Sequence, residues 1–205
     1  MSATWRWIAG WAEKTGFSYE EQADERWLRA FEPFVTLRTP IRYGHALHAT
    51  GPRGSLSIAR FTVDVSIATP DGPREEEVGA WIAFVQDPRV QGRAAATNDV
   101  HVVQVRRPSP FAEPMDLVSL PRVVTGDRVF DRAFATFAPQ GSDVGEAITP
   151  SLRKLTIGWS VPVHFEVRPG AFVLAPVTLA ADAKSLGWLV AAAQFFGEKA
   201  AKRVK

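Results

Sequence analysis

The most informative stretch of this sequence runs Thr125-Gly126-Asp127-Arg128-Val129-Phe130-Asp131-Arg132-Ala133-Phe134-Ala135-Thr136-Phe137. Its three phenylalanines recur at helical spacing, whereas the alternation over the last five residues is typical of a strand. Periodicity alone does not decide between helix and strand, so both alternatives stay open. We favour a helical turn that leads into a strand, with Asp127 as the cap of the turn.

The residues after this stretch predict a helix, a hairpin and a last helix. Asp143, with Glu146 three residues later, is typical of the start of a helix before an apolar periodic segment. Pro169-Gly170 separates two strand-like runs, residues 161–167 and 171–177, and predicts the turn of a β-hairpin. The apolar segment over residues 181–199 predicts the last helix.

The N-terminal residues predict two further helices. Apolar residues 5, 8 and 11 recur at helical spacing, and Gly16 is expected to end this first helix. Ser18 and Glu21 have the spacing of a capping box. They predict a second helix that runs to about residue 31, just before Pro33.

Strand-like runs occupy the middle of the sequence. Their short connections predict an antiparallel meander of four strands, at residues 45–50, 56–67, 78–85 and 100–105. The Gly51–Gly54 cluster predicts a turn between the first two strands. The alternation of the second run changes parity near Ala59, which predicts a bulge there. Residues 87–99 are polar and predict a loop.

These elements together predict an α+β fold, with an antiparallel meander sheet or sheets covered by helices. The N-terminal and C-terminal helices are expected to pack on the sheet. The length suits a single domain of residues 1–205. The proline-rich connection after residue 108 suggests two tightly packed lobes within it. Residues 1–108 would form a helix plus the four-strand meander, and residues 122–205 a strand-helix-hairpin-helix lobe.

The composition limits the classes of function. Hydrophobic residues make up 46% of the 205 residues and charged residues 22%, which predicts a soluble globular domain. The net charge is only +2, without a basic stripe, and this argues against nucleic-acid binding. The absence of cysteine excludes disulfides and thiol catalysis. With no signal-peptide pattern and no apolar run of about 20 residues, we expect a cytoplasmic protein.

The order of the short motifs resembles a bacterial family of uncharacterised function. The motifs that carry the resemblance are Gly16–Tyr19, Val105–Pro108, Thr125–Phe137, Ile148–Leu152 and the hairpin Phe165–Gly170. Members of that family often carry transmembrane helices before this soluble part, which implies work near the cytoplasmic face of the membrane. No such helix is expected in this chain. The family has no established catalytic residues, so the resemblance implies none here.

Four polar residues are candidates for a ligand or partner surface. His101 begins a strand-like run, and we interpret it as a core or edge histidine rather than a catalytic base, because no partner carboxylate is recognisable. His164, Glu166 and Arg168 alternate along one strand and share a face. A solvated polar face is the natural interpretation of that row.

Two aromatic residues of the last helix, Trp188 and Phe195, are the other surface candidates. They belong to the second of two apolar stripes on this helix, and four basic residues follow within residues 199–205. Burial on two sides is the favoured interpretation, ahead of docking to a partner protein. An apolar helix with a basic end also suits contact with a membrane surface.

Neither the histidine pair nor the charged residues of the opening stretch predict a catalytic or metal site. His45 and His48 lie three apart, so on a strand they point to opposite faces and do not share a metal ion. We expect Asp127 to cap a helix and Asp131 to take part in surface ion pairs. The sequence therefore predicts no catalytic residue, metal or cofactor.

Three functions remain open at this stage. The favoured one is a non-catalytic binding or scaffold module that binds a protein partner or a small apolar ligand, as a monomer or a homodimer. An enzyme of unrecognised type, with a site assembled only by folding, is the first alternative. The second is a peripheral membrane-surface protein that uses its C-terminal helix.

Overall fold

The computed structural model describes residues 5–35, 37–52, 54–98 and 120–201, and only the backbone at positions 67 and 68. This part of the chain forms six helices and nine strands. The helices are α1 (Arg6–Thr15), α2 (Glu25–Arg29), α3 (Arg128–Ala133), α4 (Val144–Ala147), α5 (Pro150–Ile157) and α6 (Ala183–Ala200). The strands are β1 (Ser18–Glu20), β2 (Arg42–Gly51), β3 (Gly54–Thr69), β4 (Gly72–Gln86), β5 (Ala94–Thr97), β6 (Arg122–Val123), β7 (Ala135–Phe137), β8 (Val163–Arg168) and β9 (Ala171–Pro176).

The nine strands form one sheet in the order β1-β2-β3-β4-β9-β8-β5-β7-β6. Every pair of neighbouring strands is antiparallel. Together with the helices, this sheet confirms the predicted α+β class. The sheet is continuous, and β5 pairs with β8 and β7, so strands on both sides of the predicted lobe boundary interleave. The division into two lobes stays a prediction.

Helices and loops cover both faces of the sheet. On one face, buried side chains of α1, α3, α5 and α6 pack on the strands, with Trp81 of β4 among them. On the other face, α2 and the following segment supply Leu28, Phe34 and Leu37, which pack on side chains of the β2–β3–β4 meander. This arrangement confirms the expectation that the first and last helices pack on the sheet.

The opening stretch folds as a helical turn followed by a strand. Asp127 accepts hydrogen bonds from the amides of Val129 and Phe130, so it caps α3 as predicted. β7 follows within two residues. Asp131 differs from its expected role in surface ion pairs, because it accepts hydrogen bonds from the amides of Thr125 and Gly126. The motif is therefore a closed loop in which both aspartates bind backbone.

The predicted hairpin and last helix are confirmed, whereas the predicted helix after Asp143 is divided. Asp143 caps only α4, which ends at Ala147. Thr149 then accepts a hydrogen bond from the amide of Leu152 and caps a separate helix, α5, with Pro150 at its first position. Proline suits the first position of a helix because its missing amide hydrogen has no partner there in any case.

The predicted second helix over residues 18–31 is wrong in its first part. Ser18–Glu20 is the edge strand β1, paired with β2, and the Ser18 hydroxyl donates to the carbonyl of His48 instead of accepting a hydrogen bond from a helix amide. The helix begins later, where Asp24 accepts a hydrogen bond from the amide of Arg26. Pairing with β2 satisfies backbone groups that the isolated capping-box pattern assigned to a helix.

Two further expectations for the meander are corrected. The bulge lies opposite Ala59, as the pairs Gly44–Arg60 and Leu47–Ile58 show, but its extra residue is on β2 and not on β3. At the bulge His45 has a φ of 50°, a left-handed backbone conformation that non-glycine residues rarely adopt. The predicted loop of residues 87–99 contains the buried strand β5. The predicted strand at residues 100–105 lies outside the described residues.

Candidate functional site

The predicted polar row on β8 is buried, and this corrects its interpretation as a solvated face. His164 is 0% and Glu166 2% exposed, since the segment after α2 lies over them. The His164 Nε2 atom lies 3.2 Å from Glu166 Oε1. The Arg168 guanidinium lies 3.0 Å from Glu166 Oε2.

Two backbone contacts join this row to the segment that covers it. The amide of Val35 donates a hydrogen bond to Glu166, and the Arg168 guanidinium donates to the carbonyl of Pro33 over 2.9 Å. Burial by itself raises the pKa of the Glu166 carboxyl. The contacts with His164, Arg168 and the Val35 amide outweigh burial and hold this pKa below its ordinary value. The row therefore anchors the segment at residues 33–35 to the sheet.

The other surface candidates have different positions. Phe195 is 55% exposed, so α6 is not buried on the side that carries it, contrary to the favoured two-sided burial. Trp188 is half-buried and packs edge-on against Trp159, with ring centroids 5.6 Å apart. Phe196, next to Phe195, is fully buried. His101 and the basic residues 202–205 lie outside the described residues.

A cleft with a volume of about 480 Å³ lies between α6 and one end of the meander. The β2–β3 turn and the adjoining strand ends form one wall, with Leu56 and Val85. Ala193 and Gly197 of α6 form the opposite wall, and Phe17 lies between α1 and β1. Aliphatic and aromatic groups therefore supply much of the cleft surface. Its volume lies within the usual range of small-ligand sites.

Charged groups lie at the rim of this cleft. The Arg89 guanidinium binds the carboxylate of Asp87, and this hydrogen bond raises the pKa of Arg89. Asp87 also accepts the amide of Arg89, so the pair forms a closed turn after β4. Glu198 and Gln194 of α6 lie across from it. The cleft thus combines an apolar interior with a polar rim.

A second cleft of about 290 Å³ lies on the opposite face of the sheet at the same end. His48 and Ser57 are direct cross-strand neighbours in it, and His48 Nδ1 lies 2.9 Å from Ser57 Oγ. The other ring nitrogen of His48 lies 3.7 Å from Glu20 Oε2. Trp27 packs edge-on against the His48 ring. A serine and a histidine therefore lie next to each other in the wall of this cleft, and a carboxylate outside the wall faces the second ring nitrogen of the histidine.

Sequence reasoning missed the pairing of His48 with Ser57, although the sequence contains a signal for it. With Gly51 and Gly54 at the ends of the turn, counting outward along both strands places His48 opposite Ser57. The prediction that His45 and His48 point to opposite faces is confirmed. His45 packs on Trp5, whereas His48 packs on Trp27 on the other face.

Two absences concern residues 5–35, 37–52, 54–98 and 120–201. Within those ranges, no group of three or more metal-ligating side chains has the placement to hold a metal ion. In the same ranges, no helix is both long and apolar enough to cross a membrane.

Comparison with known proteins finds a similar fold but no family to which this chain belongs. No family model and no curated protein matches this chain. Among solved structures, the crystal structure of the mycobacterial trehalose monomycolate transport factor A, TtfA, is similar, with a TM-score of 0.58 and 10% sequence identity. The match covers 100% of this chain and 99% of that chain. At this identity the similarity shows a shared fold alone.

Proposed function

We propose that this protein is a non-catalytic binding protein with a role in transport, and that it holds an apolar ligand, such as an acyl chain, in the cleft beside α6. The observation that carries the proposal is the cleft of about 480 Å³ between Leu56 and Val85 on one side and Ala193 and Gly197 on the other. Clefts of this size with apolar walls and a few polar rim groups are the usual form of small-ligand sites.

The similarity to TtfA supports the transport part of the proposal. TtfA is named as a transport factor for trehalose monomycolate, and the match to it extends over the whole of this chain. Trehalose monomycolate is a sugar ester of a long-chain fatty acid, and transfer of such a hydrocarbon chain from water to a site with apolar walls is favourable. We therefore take a lipid acyl chain as the expected ligand of the cleft.

Native mass spectrometry of freshly purified protein, followed by titration with the neutral apolar fluorophore N-phenyl-1-naphthylamine, tests this proposal. Gln194→Trp places a large ring at the exposed rim of the cleft. Lys184→Trp, on the exposed start of the same helix, is the matched control. We expect a retained lipid or saturable fluorophore binding, weakened about tenfold by Gln194→Trp and unchanged in the control.

Two results would overturn the proposal. One is wild-type protein that retains no lipid and shows no saturable fluorophore binding. The other is binding that Gln194→Trp leaves unchanged, which would place the ligand elsewhere on the molecule.

The Ser57–His48 pair favours a second candidate function, acyl-ester hydrolysis. In this reaction the Ser57 oxygen attacks the acyl carbonyl carbon, its proton passes to His48, and His48 gives the proton to the departing alcohol. Water then hydrolyses the acyl–Ser57 ester. The contact of 2.9 Å between Ser57 Oγ and His48 Nδ1 supports this candidate, since a nucleophile and its base must lie within hydrogen-bond reach.

Labelling with a fluorophosphonate, read by intact-protein mass, tests this second candidate. Labelling that disappears in Ser57→Ala and in His48→Phe, but persists in Ser55→Ala at the same cleft, would support hydrolysis. Absence of labelling, or equal labelling of Ser57→Ala, would leave His48 and Ser57 as a cross-strand hydrogen-bonded pair.

A further inference from the structure

Arg60 is a half-buried cation that lies between two tryptophans. Its guanidinium carbon lies 4.8 Å from the centre of the Trp5 ring and 5.9 Å from that of Trp81. Arg60 and Trp81 are direct cross-strand neighbours on β3 and β4, and Trp5 precedes α1. The position of the guanidinium is therefore set by aromatic contacts on two elements.

In the described part of the chain, no carboxylate forms an ion pair with this charge. Among the described residues, none lies within 4.0 Å of Arg60, and the guanidinium makes no hydrogen bond within them. Burial lowers the pKa of Arg60, which reflects the cost of holding this cation away from water. The nearby carboxylate of Glu77 is paired with Arg42, so an anion bound in the pocket would give the half-buried Arg60 the partner that the described residues do not.

Two glycines lie in the wall of the pocket that contains the Arg60 guanidinium. Arg60 faces a pocket of about 300 Å³, and Gly44 and Gly79 both line it. A Cβ added at Gly79 would lie 2.3 Å from Arg60 Nη2, so only glycine at this position allows the observed arrangement. Thr62 supplies a hydroxyl to the same pocket.

The other charged and ring-nitrogen groups of the pocket have protein partners. Arg42 forms an ion pair with Glu77 at its rim. His45 Nδ1 lies 2.8 Å from the Tyr19 hydroxyl, and the His45 ring stacks on Trp5 at 4.9 Å. Arg60 is therefore the cation of this pocket that lacks a partner within the described residues.

The N-terminus of α1 adds to the positive potential at this place. Trp5 occupies the cap position, makes no side-chain cap, and no acidic residue lies in the first turn of α1. The uncapped amides of a helix N-terminus carry partial positive charge. Trp5, the cap residue of α1, also lines the pocket of Arg60, so this helix begins next to the pocket.

We propose that the pocket formed by Arg60, Trp5, Gly79 and Thr62 binds an oxyanion, a phosphate or a carboxylate group of a small molecule or of a lipid headgroup. The planar guanidinium offers two parallel N–H donors, the geometry that carboxylate and phosphate oxygens accept. The site lies beyond the N-terminus of α1, and its lining residues differ from those of the apolar cleft beside α6. It stands independently of the proposed function.

NMR titration of the ¹⁵N-labelled full chain tests the proposal. The arms are inorganic phosphate, acetate and vesicles of phosphatidic acid, each against sodium chloride at equal ionic strength. The Arg60 Nε–H resonance, assigned by its loss in Arg60→Met, and the Trp81 indole resonance are followed. We expect saturable shifts with at least one probe. A response to free phosphate or acetate indicates a small ligand, and a response to vesicles alone indicates a lipid headgroup.

Two variants with matched controls locate the site. Arg60→Met removes the charge and keeps the length of the side chain, and Gly79→Ala displaces the guanidinium without removing it. Arg26→Met changes an exposed arginine that is paired with Asp24, and Gly10→Ala adds a Cβ into open space. We expect Arg60→Met and Gly79→Ala to bind the anion about tenfold more weakly than wild type. The controls Arg26→Met and Gly10→Ala should bind it with wild-type affinity.

Each remaining outcome would overturn the proposal. Absence of saturable shifts in all three arms would do so. Wild-type affinity in both Arg60→Met and Gly79→Ala would do the same. If Arg60→Met fails to fold, as judged by its NMR spectrum, Gly79→Ala alone decides the outcome, since it keeps every charge.

Discussion

Glu166 shows at the scale of one residue how a buried charge joins distant parts of the chain. Its carboxylate contacts His164, Arg168 and the amide of Val35, which is 131 positions away in the sequence. A buried carboxylate is stable only when partners of this kind replace its hydration. Two predictions follow from this arrangement.

Glu166→Gln should lower the free energy of unfolding by about 3 kcal/mol, because it leaves the Arg168 guanidinium without the carboxylate that balances its charge. Urea unfolding followed by circular dichroism measures this change. Glu75→Gln, on the exposed part of β4, is the control and should change the stability by less than about 0.5 kcal/mol. Equal stability of the two variants would contradict the anchoring role of Glu166.

The stability should also depend on pH through Glu166. Because folding lowers the pKa of this carboxyl, its contribution is complete above the pKa of the unfolded chain. The contribution is lost as the pH falls from about 4 through the lower pKa of the folded state. Thermal unfolding between pH 7 and pH 2 should therefore show a smaller acid-side loss in Glu166→Gln than in wild type. Parallel curves would refute this prediction.

At the scale of elements, the β2–β3 hairpin shapes both clefts at one end of the sheet. Residues of its turn line the cleft beside α6, and Thr50 and Ser55 line both clefts. Gly54 has a φ of 142°, and a Cβ at this position would lie 1.8 Å from the carbonyl oxygen of Gln86. The close approach of two backbones therefore requires glycine here.

Gly54→Ala should destabilise the protein by about 2–4 kcal/mol, because the new methyl group meets fixed backbone rather than a movable side chain. Gly51→Ala, in the same turn with open space around it, is the matched control and should be nearly neutral. Differential scanning calorimetry of both variants makes the comparison. A similar melting temperature in the two would show that the turn adapts to the extra methyl group.

At the scale of the whole molecule, one sheet connects the N-terminal and C-terminal parts of the chain. β4 pairs with β9, and β5 lies between β8 and β7. Neither part keeps its strand neighbours without the other. The sheet therefore joins, by strand pairing, residues that belong to different predicted lobes on the two sides of residue 108.

We expect one cooperative unfolding transition as a consequence. Urea curves recorded by far-ultraviolet circular dichroism and by tryptophan fluorescence should coincide, since loss of either part exposes strand edges and apolar faces of the other. Two separate transitions would instead support two independently stable lobes. A truncated chain of residues 122–205 provides the control and should not give a folded spectrum.

The sequence predicted those features that depend on neighbouring residues. The Asp127 cap, the turn at Gly170 and the last helix all follow from local patterns, and the structure confirms them. The helix predicted to begin at Ser18 failed because pairing of β1 with β2 satisfies the same backbone groups. The bulge was predicted on β3 but lies on β2. The alternation of apolar residues along one strand does not show how its partner strand is aligned with it.

The candidate sites were less predictable than the fold. The alternation of His164, Glu166 and Arg168 placed them on one face, but the segment that buries this face comes 131 positions earlier in the chain. Similarly, Arg60 and Trp5 are 55 positions apart in the sequence, and only folding brings the Trp5 ring over the guanidinium. Burial is set by the residues that cover a face, which a strand pattern does not contain.

What the sequence by itself determined is the class of the protein and the type of most elements, because helix caps, turns and periodic patterns act over a few residues. Only the tertiary structure decided the strand order, the burial of Glu166, and the clefts around α6, His48 and Arg60. Each of these depends on residues that are far apart in the sequence. They come into contact only when the strands pair and the sheet forms. Long-range packing is therefore where the function of this protein is encoded.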